Sequence, residues 1–266
     1  MLLLTSGHPT SGHPTSGLTR SLAGRLVRRL IFALMLAMFL AISLTGATGR
    51  AMAADFDKAK AAYEAGDYAT AAQEFRPLAE AGDAKSQFNL GVMYENGHGV
   101  AQDNAAAIKW YRRAAEAGIA PAQYNLGLMY DNGQGVPQNY AEAMSWYRRA
   151  AEAGIAPAQY NLGLMYDNGQ GVPQNYAEAM SWYRRAAETG HAKAQNDLGF
   201  LYSNGKGVPQ DYITAHMWAN LAASNSNDLS TGLRAIIASE MSPAEIERAQ
   251  ARAAQCLASD YQDCGG

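Results

Sequence analysis

The sequence is poor in the residues that do chemistry. Its two cysteines, Cys256 and Cys264, stand eight apart near the C-terminus, so a Cys-X-X-Cys redox pair is absent. Beyond residue 53 the only histidines are His98, His191 and His216, at separations that suit neither a shared metal ion nor a nucleophile with its base. Nucleophile elbows and phosphate-binding glycine loops are also missing. Gly133-Gln134-Gly135 resembles part of such a loop, but it recurs with the internal repeat and reads as turn chemistry. Asp131 and Asp167 read as a helix-terminal acid copied by duplication rather than as a catalytic pair. The expectation is a protein that is not an enzyme, with no cofactor and no metal site.

Acidic residues are missing from the first 53 positions, which hold Arg20, Arg25, Arg28, Arg29 and Arg50. The remaining chain therefore has 16 basic and 24 acidic side chains. A domain this acidic repels a phosphate backbone and an anionic bilayer surface, which argues against nucleic acid or membrane as its partner.

Long apolar runs are equally scarce. Leu30 to Leu44 is the one candidate, and its 15 residues at about 1.5 Å each fall short of a hydrocarbon core of about 30 Å. Basic residues before it and Ala51-Met52-Ala53 after it suit a secretory signal cleaved after Ala53, giving a periplasmic or secreted protein that meets the membrane only during export. The duplicated polar stretch before the signal (TSGHPTSGHPTSG) fits no signal architecture, and initiation at Val27 would leave an ordinary one.

What the chain does have is a period. Trp110, Trp146, Trp182 and Trp218 are 36 residues apart, as are Gly91, Gly127, Gly163 and Gly199, each in a Leu-Gly pair. Residues 110–152 are identical to 146–188, the mark of a recent duplication. Within a unit, Ala122, Leu126, Met129 and Tyr130 fall on one face of a helix A that opens at Pro121 and stops near Asp131, before Asn132-Gly133. Asn139 caps a helix B and forms a capping-box-like pair with Glu142, as do Asn175 and Glu178. Tyr140, Ala143, Met144, Tyr147, Ala150 and Ala151, widened by Trp146, form the apolar stripe of helix B, and Gly154 reverses the chain. Ser145, Arg148, Arg149 and Glu152 make its solvated side, with Arg148 in reach of Glu152. Small residues (Gly127, Ala143, Ala150) are expected to let helix backbones approach. A helical hairpin cannot bury its stripe alone, so the units must stack. The fold class is all-α, a right-handed α/α superhelical solenoid of stacked hairpins.

The assembled pattern, LGxMYxNGxGVxQxxxxAxxWYRRAAExG, resembles the Sel-one-like repeat, a branch of the tetratricopeptide-like helical repeats. The match spans residues 83–223, and the fourth unit departs from it, with Asn196 in place of Tyr124 and Tyr160, and Ala219 after Trp218 where tyrosine is usual. Some relatives carry a disulfide in every repeat; here the repeats contain no cysteine. The organisation reads as a signal region (1–53), an N-terminal tetratricopeptide-like cap turning at Gly66-Asp67 (54–82), repeats at 83–118, 119–154, 155–190 and 191–223, and C-terminal capping helices at about 229–239 and 243–258 within 224–266. The last helix opens with the capping box Ser242-Pro243-Ala244-Glu245. In an exported protein, Cys256 and Cys264 are expected to bridge, which requires the helix to end near Ser259 and the tail to fold back.

Helices A of such solenoids line the concave side, so side chains outside their core stripe are the binding candidates. These are Tyr124, Leu128 and Asp131; Tyr160, Leu164 and Asp167 one unit on; and Phe88 and Val92, with Glu95, one unit before. The row suits an extended or helical peptide, and its acids favour a basic one. Asn89, Asn125 and Asn161 either hydrogen-bond a guest backbone or satisfy buried main-chain groups, and the sequence leaves both open. The resemblance implies a scaffold that binds a protein or peptide in its groove. The alternatives are a periplasmic negative regulator of a membrane sensor and, further off, a cell-wall or β-lactam hydrolase.

Overall fold

The structure, a computed structural model, describes residues 56–225 and 229–264. The export signal expected over 1–53, its cleavage after Ala53 and the start at Val27 lie outside the described residues. All regular structure among those residues is helical: α1 (56–64), α2 (Tyr68–Glu80), α3 (Ala84–Asn96), α4 (Asn104–Glu116), α5 (Ala120–Asn132), α6 (Tyr140–Glu152), α7 (Ala156–Asn168), α8 (Tyr176–Ala187), α9 (Ala192–Asn204), α10 (Tyr212–Asn225), α11 (Leu229–Ser239) and α12 (Pro243–Ala258). From α2 to α10 each helix packs on the next, so α3–α4, α5–α6, α7–α8 and α9–α10 are the A–B hairpins of a solenoid. No helix among the described residues is long and apolar enough to cross a membrane.

Local chemistry sets the helix ends. In α5, Pro121 lies in the first turn and Gly133 closes the helix at φ 67°. In α6, Asn139 accepts hydrogen bonds from the amides of Ala141 and Glu142 at 3.1 and 3.2 Å. The asparagine oxygen thus serves two orphan amides, and Glu142 stands in the first turn, where its charge favours the helix dipole. Gly135, at φ 74°, seats the following loop against the start of the preceding helix B, where a Cβ would meet Asn104 at 2.7 Å.

The apolar stripes meet as expected, with Leu126, Met129, Ala143, Tyr147 and Ala150 fully buried. The role expected of Gly127 needs correction. It makes room for an aromatic ring: a Cβ there would lie 2.5 Å from the Tyr147 ring, and one at Gly91 would lie 2.6 Å from Tyr111. Only in the last unit, where Ala219 stands at the tyrosine position, does the glycine meet backbone, with the Ala215 carbonyl oxygen 3.1 Å from a Cβ at Gly199.

Two ladders join successive units. Buried Gln87, Gln123, Gln159 and Gln195 each donate to a carbonyl at the end of the preceding helix B (Ala79, Ala115, Ala151, Ala187) at 3.0–3.1 Å. Arg76, Arg112, Arg148 and Arg184 donate to the hydroxyls of Tyr94, Tyr130, Tyr166 and Tyr202. Arg148 therefore reaches the next unit rather than Glu152, because Tyr166 of the adjoining helix A presents an acceptor 2.9 Å away.

At the C-terminal end the Ser242–Glu245 capping box opens α12, and Ser259 ends it. Asp260 and Tyr261 adopt left-handed backbone (φ 51° and 63°) and turn the tail back. There Cys256 and Cys264 are disulfide-bonded with Cα atoms 4.4 Å apart. Asn225 donates to the Tyr261 hydroxyl (2.8 Å) and to Gln195 Oε1 (3.1 Å), tying the tail to the last repeat.

Candidate functional site: the helix-A face

Each candidate residue sits on a helix A: Phe88 and Val92 on α3, Tyr124, Leu128 and Asp131 on α5, Tyr160, Leu164 and Asp167 on α7. All eight are half-buried. The six aromatic and aliphatic ones pack in part against the core clusters. Phe88, Tyr124 and Tyr160 lie beside the rings of Tyr111, Tyr147 and Tyr183, with centroids 5.6–5.9 Å apart. The row is therefore an aromatic strip on rigid helices, most of whose area is already committed to packing.

Its acids are part of the architecture too. Tyr111 donates to Glu95, Tyr147 to Asp131 at 3.0 Å and Tyr183 to Asp167 at 3.2 Å. Burial, aided by the neighbouring carboxylate, pushes the phenols of Tyr147 and Tyr183 well above the usual tyrosine range, so both stay neutral donors. Asn125 lies near the Tyr111 hydroxyl and Asn161 near those of Tyr147 and Tyr124, while the carbonyls at the ends of helices B are met by the glutamines. The glutamines also recur every 36 residues, and that recurrence was the signal available for finding them.

The fourth unit breaks this network at every position at once. Asn196 replaces the tyrosine, Asp197 the asparagine, Ser203 the acid and Ala219 the buried tyrosine, and Phe200 stands where Leu128 and Leu164 stand. Phe200 is 44% exposed. Asp197 lies near the Tyr160 hydroxyl.

The three histidines serve local structure. His98 stacks on Tyr68 with centroids 4.2 Å apart, the His191 ring caps α9 by accepting from the Ala194 amide, and His216 is buried in α10. Among the described residues no group of three His, Cys, Asp or Glu side chains could hold a metal ion. A cleft of about 420 Å³ near the disulfide is lined by Tyr202, Asp211, Thr214, Arg252, Gln255 and Asp263, but its polar groups largely bond one another: Thr214 to Asp211, Arg252 to Thr214, Gln255 to Asp263.

A profile of the Sel1 repeat matches residues 84–119, 120–155, 156–191 and 192–227. The chain belongs to the Sel1 repeat family. Sel1 repeats form helical scaffolds that generally mediate protein–protein interactions. Among solved structures, a Sel1 repeat protein from Oxalobacter formigenes is 37% identical over 70% of this chain and 79% of its own, with a TM-score of 0.61. The protective antigen c5321 of uropathogenic Escherichia coli, which displays the same repeat fold, is 29% identical over 80% of this chain and 54% of its own, with a TM-score of 0.53. Comparison with curated protein sequences gives no match.

Proposed function

We propose that this Sel1 repeat protein is an exported, non-catalytic scaffold that holds a segment of another protein against its helix-A face. The carrying observation is the partly exposed row of Phe88, Val92, Tyr124, Leu128, Tyr160 and Leu164, repeated at one spacing on helices locked by buried glutamine and tyrosine hydrogen bonds. Rigid aromatic and aliphatic side chains lose little entropy when a partner covers them, so they make efficient anchors. Export rests on the basic and apolar segment ahead of Ala53.

The test is affinity co-purification from envelope extract with the native chain and with a Leu128→Gln/Leu164→Gln variant, both checked for helicity by circular dichroism. A protein retained by the first and lost from the second supports the scaffold; retention unchanged by the variant moves the site off this face. Export is checked separately by N-terminal sequencing. A chain beginning at Ala54 in the envelope fraction supports it, and a cytoplasmic chain that keeps residues 30–53 overturns it.

A further inference from the structure

Residues 110–152 and 146–188 are identical, and this identity extends to the seams where a helix B meets the next helix A. Helix α4 ends in the same Trp-Tyr-Arg-Arg-Ala-Ala-Glu as α6 and as residues 182–188, and α7 copies α5 residue for residue. The bonds across the seams match. Gln123 donates to the Ala115 carbonyl and Gln159 to the Ala151 carbonyl, both at 3.0 Å. The Ile119 and Ile155 amides close their turns onto the carbonyls of Ala114 and Ala150, again both at 3.0 Å. Within the hairpins, a Cβ at Gly127 would stand 2.5 Å from the Tyr147 ring and one at Gly163 2.4 Å from the Tyr183 ring. The surface that α4 offers to α5 is therefore equally suited to α7, and the surface that α8 offers to α9 is also carried by α6.

We propose that the chain has a second, shorter closed form, in which one of the two identical hairpins, α5–α6 or α7–α8, leaves the solenoid and the flanking units rejoin across its place. In the first case α7 docks on α4 and residues 117–152 form a loop; in the second α9 docks on α6 and residues 153–188 do. Either loop is one full period of 36 residues. Its ends meet where two consecutive residues stood, so the flanking units need not move apart. The contacts of the short form already exist in the long one. Trp182 meets Ile108 as Trp146 does now, and Gln195 finds the Ala151 carbonyl in place of that of Ala187. Opening a central hairpin of an ordinary solenoid breaks two seams. Here one of them re-forms, which leaves the cost of opening a terminal unit plus a loop-closure entropy that grows only slowly with length. The expelled hairpin cannot bury its stripe alone and unfolds. The helix-A row then loses one of its two identical segments, that of Tyr124, Leu128 and Asp131 or that of Tyr160, Leu164 and Asp167, so this exchange sets the length of the face whether or not a partner occupies it.

Native-state hydrogen exchange read by mass spectrometry tests this, with the full chain beside one that lacks residues 110–145. That deletion joins Lys109 to Trp146, recreates the sequence around every remaining seam and leaves no spare copy. The two copies yield the same peptides, which report their sum. In the full chain, peptides from α5 to α8 should exchange about tenfold or more ahead of those from α4 and α9 on either side, as one correlated block. In the deletion chain the order should reverse, with the single central repeat exchanging last, because units then open only from the ends. Protection in the full chain that rises steadily from both ends towards α5–α8 overturns the short form. Central exchange equally fast in both chains also overturns it, since a weak hairpin then accounts for the order. A deletion chain that fails to unfold cooperatively in urea overturns it as well, because the short form consists of the same seams.

Discussion

Tyr147 donates its hydroxyl to Asp131 across 3.0 Å from a ring that fills the slot left open by Gly127. A glycine, a buried ring and a half-exposed acid thus act together, and the same triplet recurs as Gly91–Tyr111–Glu95 and Gly163–Tyr183–Asp167. In the fourth unit the tyrosine and the acid are both replaced, by Ala219 and Ser203, which is the expectation for residues that matter only as a pair.

Gly127→Ala drives a methyl group into the Tyr147 ring and should cost about 1–3 kcal/mol through overpacking. Tyr147→Phe keeps the ring and removes one hydrogen bond, for a loss of about 1–2 kcal/mol. Urea unfolding of both variants and of Gly127→Ala/Tyr147→Ala checks the relationship. The double variant should be more stable than the sum of its single changes requires, because the methyl group then occupies space the ring has vacated.

Gln123→Leu removes the bond that Gln123 donates to the Ala115 carbonyl at 3.0 Å and leaves that carbonyl its backbone partner, the Gly118 amide at 3.1 Å. The cost should be about 0.5–1.5 kcal/mol and should concentrate at the joint between the first and second repeats. Hydrogen exchange should speed up at the end of α4 and the start of α5 and remain unchanged in α9; uniform acceleration would contradict a nearest-neighbour solenoid.

Opening the Cys256–Cys264 bridge releases a small loop whose closure contributes about 2.5 kcal/mol on the chain-entropy argument. A Cys264→Ser variant should lose that amount or less and expose residues 259–264 to protease, because the Tyr261–Asn225 bond depends on the folded-back tail. Loss of most of the helical dichroism would mean that the tail governs the repeats.

His191 and His216 both titrate below the ordinary histidine value of 6.5, burial being the main cause, with Lys193 and Arg234 respectively adding to it. The folded state favours neutral imidazole, so the unfolded chain takes up protons first. Stability is fully present above about pH 6.5 and is lost as pH falls towards the folded values. His191 adds a local effect, since its ring nitrogen accepts the Ala194 amide only when unprotonated. Thermal unfolding between pH 5 and 8 should show this decline, and His191→Asn, which caps without titrating, should reduce it. Asp197 slopes the other way, from about pH 4 upward, because its raised carboxyl favours the protonated form in the folded state.

Much of the architecture was legible because it rests on local signals repeated several times. Helix ends followed from Pro121, Gly133, Asn139 and Ser242, and the core stripe from apolar spacing, since both depend on neighbours within one turn. The partners of polar side chains were not legible. Arg148 reads as a partner for Glu152 on a single helix, yet the next unit offers Tyr166; Gly127 reads as a site of backbone approach, yet a ring 20 residues on occupies it.

The sequence by itself determined the period, the alternation of helices A and B, the capped ends and the membership of a half-buried row, because each follows from covalent spacing and backbone preference. Only the tertiary structure decided how that row is wired. Whether Asp131 and Asp167 are bonded to buried tyrosines, and whether Arg148 reaches Tyr166 of the next unit, depends on side chains 16 to 18 residues apart meeting across packed helices. Distances of that kind are fixed by stacking, which no single repeat contains.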